Sequence, residues 1–64
     1  MANRVKERRQ KLGKSQKWLA DKTGVTRQTI YDIENDRYKP RAEVALKISG
    51  ALGRLCEELF SPEN

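Results

Sequence analysis

S-Q-K-W-L-A-D-K-T-G-V-T-R-Q-T-I-Y-D-I-E-N, the run from Ser15 to Asn35, decides the fold. It reads as two short helices joined by a tight turn. Ser15 is a good N-cap, because its hydroxyl can accept from the unpaired amides of a first turn. Trp18, Leu19 and Ala20 point inward, and Gly24 ends the helix where a left-handed residue is wanted. Thr26 caps the next helix, whose buried side carries Ile30 and Ile33, with Val25 packing just before the cap. The connection is about three or four residues long and contains glycine, which is the spacing of a helix-turn-helix. Ala20 fits the same geometry: helices crossing near a right angle approach closely, so a small residue is needed at the contact.

Outward from this run, the N-terminal segment Asn3 to Leu12 reads as a first helix, with Val5 and Leu12 on one face and charge almost everywhere else. Gly13 closes it. A stripe this sparse lies on a core rather than inside one. After the motif, Asn35 to Pro40 is a polar loop, and Pro40 stands where a helix can begin. A fourth helix then runs to about Leu52, with Val44, Ala45, Ile48, Ala51 and Leu52 at helical spacing, and Gly53 ends it. Arg54 to Phe60 reads as a last short helix with Leu55, Leu59 and Phe60 apolar, before a polar tail over 61–64. The expectation is an all-α fold: one domain over 1–64, five short helices, the motif at about 15–35 and a C-terminal helix at about 54–60.

Sixty-four residues are near the lower limit for a chain that folds alone. Disulfides cannot help, since Cys56 is the single cysteine, and this usage points to a reducing compartment. Small cores of this kind are often completed by oligomerisation. No apolar run approaches the roughly 18 residues of a membrane span, and the N-terminus lacks a signal-peptide apolar core. A cytoplasmic location is expected, with no membrane partner and no room for a ligand-sensing domain or small-molecule ligand. The net charge of +5 is unevenly spread: residues 1–41 hold 12 Lys/Arg against 5 Asp/Glu, and residues 42–64 hold 2 against 4. Basic charge gathered in one part of a small domain suits a polyanion.

The chemistry of the second motif helix sharpens this. At about 100° per residue, Ile33 and Thr26 fall beside Ile30 on the buried face, while Gln28, Asp32 and Asn35 fall opposite, with Tyr31 on the flank. Arg27 lies near the buried edge by angle, but it is in the first turn and long enough to reach outward. The N-terminal part of such a helix meets base edges in a DNA major groove, so Arg27, Gln28, Tyr31 and Asp32 are the candidate base contacts. Arg suits O6 and N7 of guanine, Gln suits N6 and N7 of adenine, and Asp can accept from cytosine N4. Tyr31 offers a hydroxyl and an apolar ring edge. Glu34 falls about 40° from Ile30, towards the core, where an unpaired carboxylate would be costly. Arg9 occupies the same kind of position on the first helix, so an Arg9–Glu34 ion pair is expected, with a structural role.

R-V-K-E-R-R-Q-K-L-G, S-Q-K-W-L-A-D-K-T-G-V-T-R-Q-T-I, the following I-E-N and K-P, and A-L-G-R-L-C-E-E-L-F together resemble the Cro/repressor-like helix-turn-helix regulators over about residues 3–60. The resemblance implies a five-helix, lambda-repressor-like domain that binds double-stranded DNA as a symmetric dimer. It implies that Gln16 contacts a phosphate at the start of its helix and braces Gln28, helped by the helix's free amides. Lys17 beside it is expected to add a phosphate contact, as are Asn35, Arg37 and Lys39 in the loop after the recognition helix. Arg4 and Arg8 on the first helix are weaker phosphate candidates. Three positions depart from the family pattern. Asp36 stands where glycine is common, Arg41 replaces a capping Ser after Pro40, and Leu55 replaces a Ser or Thr cap of the last helix. The homodimer contact is expected in the C-terminal region, with Leu46, Leu55 and Phe60 as candidates.

Catalysis finds no support. There is no histidine, and Cys56 alone makes neither an activated nucleophile nor a metal site, so neither metal nor cofactor is expected and Cys56 reads as a small apolar core residue. The reading is a sequence-specific transcriptional regulator, a repressor, on a palindromic operator. The rival is a small helical protein-interaction module, such as an antitoxin or anti-repressor. Leu46 keeps that rival open, because it points away from the face shared by Val44 and Ile48.

Overall fold

Two hydroxyl caps and a series of left-handed residues cut the chain into its helices. The computed structural model describes residues 3–60, with α1 at Val5–Lys11, α2 at Gln16–Thr23, α3 at Arg27–Glu34, α4 at Ala42–Leu52 and α5 at Cys56–Phe60. Ser15 Oγ accepts from the Trp18 amide at 3.0 Å and opens α2; Thr26 Oγ1 accepts from the Thr29 amide at 3.1 Å and opens α3. Three residues separate these helices. Gly24 sits at φ 77° between them, and a Cβ there would meet nothing within 4 Å. It is the backbone conformation that requires glycine at this turn, and crowding plays no part.

All five helices converge on one apolar cluster. Val5, Leu19, Ala20, Ile30, Ile33, Ile48, Leu52 and Leu59 are buried, and Trp18, Val25, Val44, Ala51 and Phe60 pack against them half-buried. Helix α2 lies against both α3 and α4, α1 touches α3 and α4, and α5 closes over α4. Burying each large aliphatic side chain contributes about 1.5–3 kcal/mol, which so short a chain needs from nearly every one of them. The fold is all-helical among the described residues, as the hydrophobic spacing predicts.

The ends of the elements differ from the sequence reading, each for a local reason. Helix α1 begins at Val5, because the Asn3 side chain has three other partners. Its Oδ1 accepts from the Val5 amide at 3.0 Å, and its Nδ2 donates to the Ile33 carbonyl at 2.6 Å and to Asp36 Oδ1 at 3.0 Å. Asn3 therefore fastens the start of α1 to the end of α3. Leu12 does not share the buried face of Val5; it lies past the end of α1 and is exposed. Pro40 precedes α4 rather than opening it, and Arg41, at the N-cap, makes no side-chain capping bond. Helix α5 begins at Cys56, not Arg54. Leu55 stands before it, where its amide donates to the Glu58 carboxylate at 2.9 Å. Glu58 thus supplies half of a capping box without the usual hydroxyl. Cys56 is half-buried rather than a core residue, with Sγ 3.4 Å from the Ala45 carbonyl. Residues 61–64 lie outside the described residues.

Candidate nucleic-acid interface

Helix α3 is held from below by Ile30 and Ile33 and from its C-terminal end by Glu34, all buried. The Glu34 carboxylate meets Arg9 at two points, Nε to Oε2 at 2.7 Å and Nη2 to Oε1 at 3.2 Å. Arg9 Nη1 donates in turn to the Lys14 carbonyl at 2.7 Å. The two side chains are only 9% and 1% exposed, so this is a buried ion pair, and both parallel N–H donors of the guanidinium edge are used. It ties α1, the α1–α2 turn and α3 into one frame.

The opposite face of α3 is polar. Arg27, Gln28 and Tyr31 are exposed and Asp32 is half-buried. Asp32 lies lower than its helical angle indicates, and its Oδ1 accepts from Gln28 Nε2 at 3.2 Å. Gln16 does not brace Gln28. Its Nε2 donates to Glu34 Oε1 at 3.1 Å and its Oε1 accepts from Arg27 Nη1 at 3.0 Å. A neighbour one turn along α3 claims Gln28, and a buried carboxylate claims Gln16, so the two glutamines are kept apart.

The flanking residues surround this face. Lys17 is exposed on α2 and pairs with Asp21 at 3.3 Å, a solvated contact worth little by itself. Lys14 and Lys22 lie over the Trp18 ring at 5.3 and 5.8 Å from its centroid, which anchors two cations beside α2. Past α3, Asn35 Nδ2 donates to the Tyr31 carbonyl at 2.8 Å and caps the helix end. Asp36 takes φ 58°, the left-handed conformation that aspartate tolerates better than most residues. The Arg37 guanidinium lies over the Tyr31 ring at 5.7 Å, and Lys39 is exposed beyond it. Arg8 turns the other way: its Nε donates to the Leu52 carbonyl at 2.9 Å, so it caps α4 instead of facing outward with Arg4.

Sequence reasoning missed three contributors to this frame. Asn3 holds the end of α3, Lys14 offers a backbone carbonyl to Arg9, and the buried Thr23 hydroxyl bonds the Leu19 carbonyl at 2.8 Å. Only Asn3 carries a signal in sequence, as a residue type that favours caps over helix interiors.

Two short helices joined by a three-residue turn, with an apolar underside and a polar outer face on the second, are the anatomy of a major-groove reader. A family model described as helix-turn-helix matches residues 5–59. The chain is 45% identical over 60 residues to a helix-turn-helix-type transcriptional regulator of Bacillus subtilis, covering 94% of this chain and 91% of that one. It is 46% identical over 54 residues to one of Methanothermobacter thermautotrophicus, covering 84% and 78%. With one of Archaeoglobus fulgidus it shares 40% over 60 residues, covering 94% and 86%. The chain belongs to the Cro/repressor-like helix-turn-helix family of transcriptional regulators, a family that binds DNA. Among the described residues no helix is long and apolar enough to cross a membrane.

Proposed function

We propose that the chain is a sequence-specific repressor that binds a palindromic operator as a homodimer. The observation that carries this reading is the division of α3: its buried side is locked by Ile30, Ile33 and the Arg9–Glu34 pair, while Arg27, Gln28 and Tyr31 are exposed on the other. Gln16, Lys17, Asn35, Arg37 and Lys39 lie before and after the recognition helix, where phosphates would run on either side of a groove. One copy measures 31 Å in its longest direction and carries one such helix. Successive major grooves on one face of a duplex are about 34 Å apart, so reading two of them takes a second copy. Leu46 and Leu55, 64% and 61% exposed, are the apolar side chains best placed for that contact. Phe60 is half-buried against the core and contributes less. Repression needs nothing beyond occupancy of a promoter, which this surface alone can provide.

Two substitutions separate reading from holding. Gln28→Ala is expected to weaken binding to a preferred duplex by about 5–150-fold while leaving random DNA nearly unaffected, since a bidentate base contact is worth about 1–3 kcal/mol. Lys39→Ala is expected to weaken both alike and to reduce the salt dependence by about one counterion. Fluorescence anisotropy titrations at several salt concentrations measure both. If neither substitution changes DNA binding, the protein-interaction reading replaces this one.

A further inference from the structure

Asp32 dictates which way the Gln28 amide points. Its Oδ1 stands 3.2 Å from Gln28 Nε2, one turn along the same face of α3. A carboxylate can only accept, so the NH2 group must turn towards Asp32 and the carbonyl oxygen away from it. Glutamine and aspartate at this spacing meet on a helix surface and stabilise the helix, so the pairing needs no ligand to form. Asp32 is short and half-buried, whereas Gln28 is long and exposed. The carboxylate is therefore the fixed member of the pair and the amide the one that is oriented. One of the amide's two N–H donors is then spent within the helix, and Gln28 offers the groove a carbonyl acceptor beside a single donor.

We infer that Asp32 sets the base preference of Gln28: by engaging one N–H of the amide, it leaves an acceptor–donor edge that takes adenine and rejects guanine. This rests on the DNA-binding reading above and deepens it, naming the base that Gln28 selects. Adenine presents the N6 amino donor beside the N7 acceptor, the complement of that edge. Guanine presents O6 and N7, both acceptors. An unrestrained glutamine can meet guanine by turning its NH2 group to the base and giving up both N–H donors. With Asp32 in place one donor is taken, and the carboxylate adds negative charge beside O6 and N7. Acceptors left facing one another without a donor are costly, so guanine is rejected by what it leaves unpaired. The charge of Asp32 also repels phosphates, but that effect is the same for every sequence and is separate from the choice of base under Gln28.

The test is a double-mutant cycle on Gln28→Ala and Asp32→Ala. It is read against the duplex preferred by the wild type and a set in which each base pair is replaced singly. Gln28→Ala should erase the preference at one base pair of each half-site, and in the wild type that preference should be adenine over guanine. Asp32→Ala should tighten binding to most duplexes, since a negative charge is lost, yet lower the preference at that same base pair by about tenfold. It should change nothing further there once residue 28 is already Ala. Thermal melts of each variant confirm that the fold is retained. If Asp32→Ala tightens every duplex equally and leaves each preference intact, Asp32 is only a negative charge on this face. If it erases the preference at a different base pair, Asp32 reads a base of its own. Either result, or a wild type that prefers a base other than adenine at the Gln28 position, overturns the inference while DNA binding stands. If the wild type prefers no duplex, both fall together.

Discussion

Arg9→Met is expected to cost about 3–5 kcal/mol of stability, because it leaves the Glu34 carboxylate buried with Gln16 as its remaining side-chain partner. A chain of 64 residues has about 3–10 kcal/mol in total, so the variant should be largely unfolded at room temperature or melt far below the wild type. The desolvation of two charges is expensive, and their attraction offsets it only while both are present. Replacing both, as Arg9→Met with Glu34→Leu, should therefore recover most of the loss. Urea titrations followed by circular dichroism measure all three proteins. A single variant that loses under about 1 kcal/mol would show that Glu34 is not held as described.

Ile30→Ala is the second large effect, with an expected loss of about 2–5 kcal/mol. Ile30 is fully buried where α3 sits on α2, and its removal opens a cavity beneath the recognition helix that neighbouring helices can fill only in part. Lys47→Ala is the matched control. It shortens an exposed side chain on α4, and the expected change in folding stability is within about 0.5 kcal/mol. Differential scanning calorimetry distinguishes the two. Equal effects would mean that α3 does not rest on the core through Ile30.

The parts of this fold that were legible in sequence are those written in neighbouring residues. Ser15 and Thr26 each sit three residues before the amide they cap, and Gly24 marks its own left-handed conformation. Helical spacing likewise separates Ile30 and Ile33 from Gln28, since a regular helix fixes direction by count. Arg9 and Glu34 each put a charge where a helix faces the core, a position that requires a partner, and the structure joins them. What stayed hidden depends on where long or distant side chains finish. Asn3 bonds residues 30 and 33 positions away, which no local pattern encodes. Gln16 could reach Gln28, Arg27 or Glu34 from the same backbone, and the buried carboxylate decides among them. Leu12 and Leu55 carry the apolar character of a core residue but lie just beyond a helix end, where helical angles no longer apply.

We propose that two copies of α3 read two symmetry-related half-sites. Selection of bound duplexes from a random-sequence pool, followed by sequencing, tests it most directly. The expected result is enrichment of a palindrome whose half-sites are centred about 10 base pairs apart, one helical turn, with the preference at one position in each half-site lost in Arg27→Ala. A pool that emerges unenriched, or an enriched site without two-fold symmetry, would contradict it.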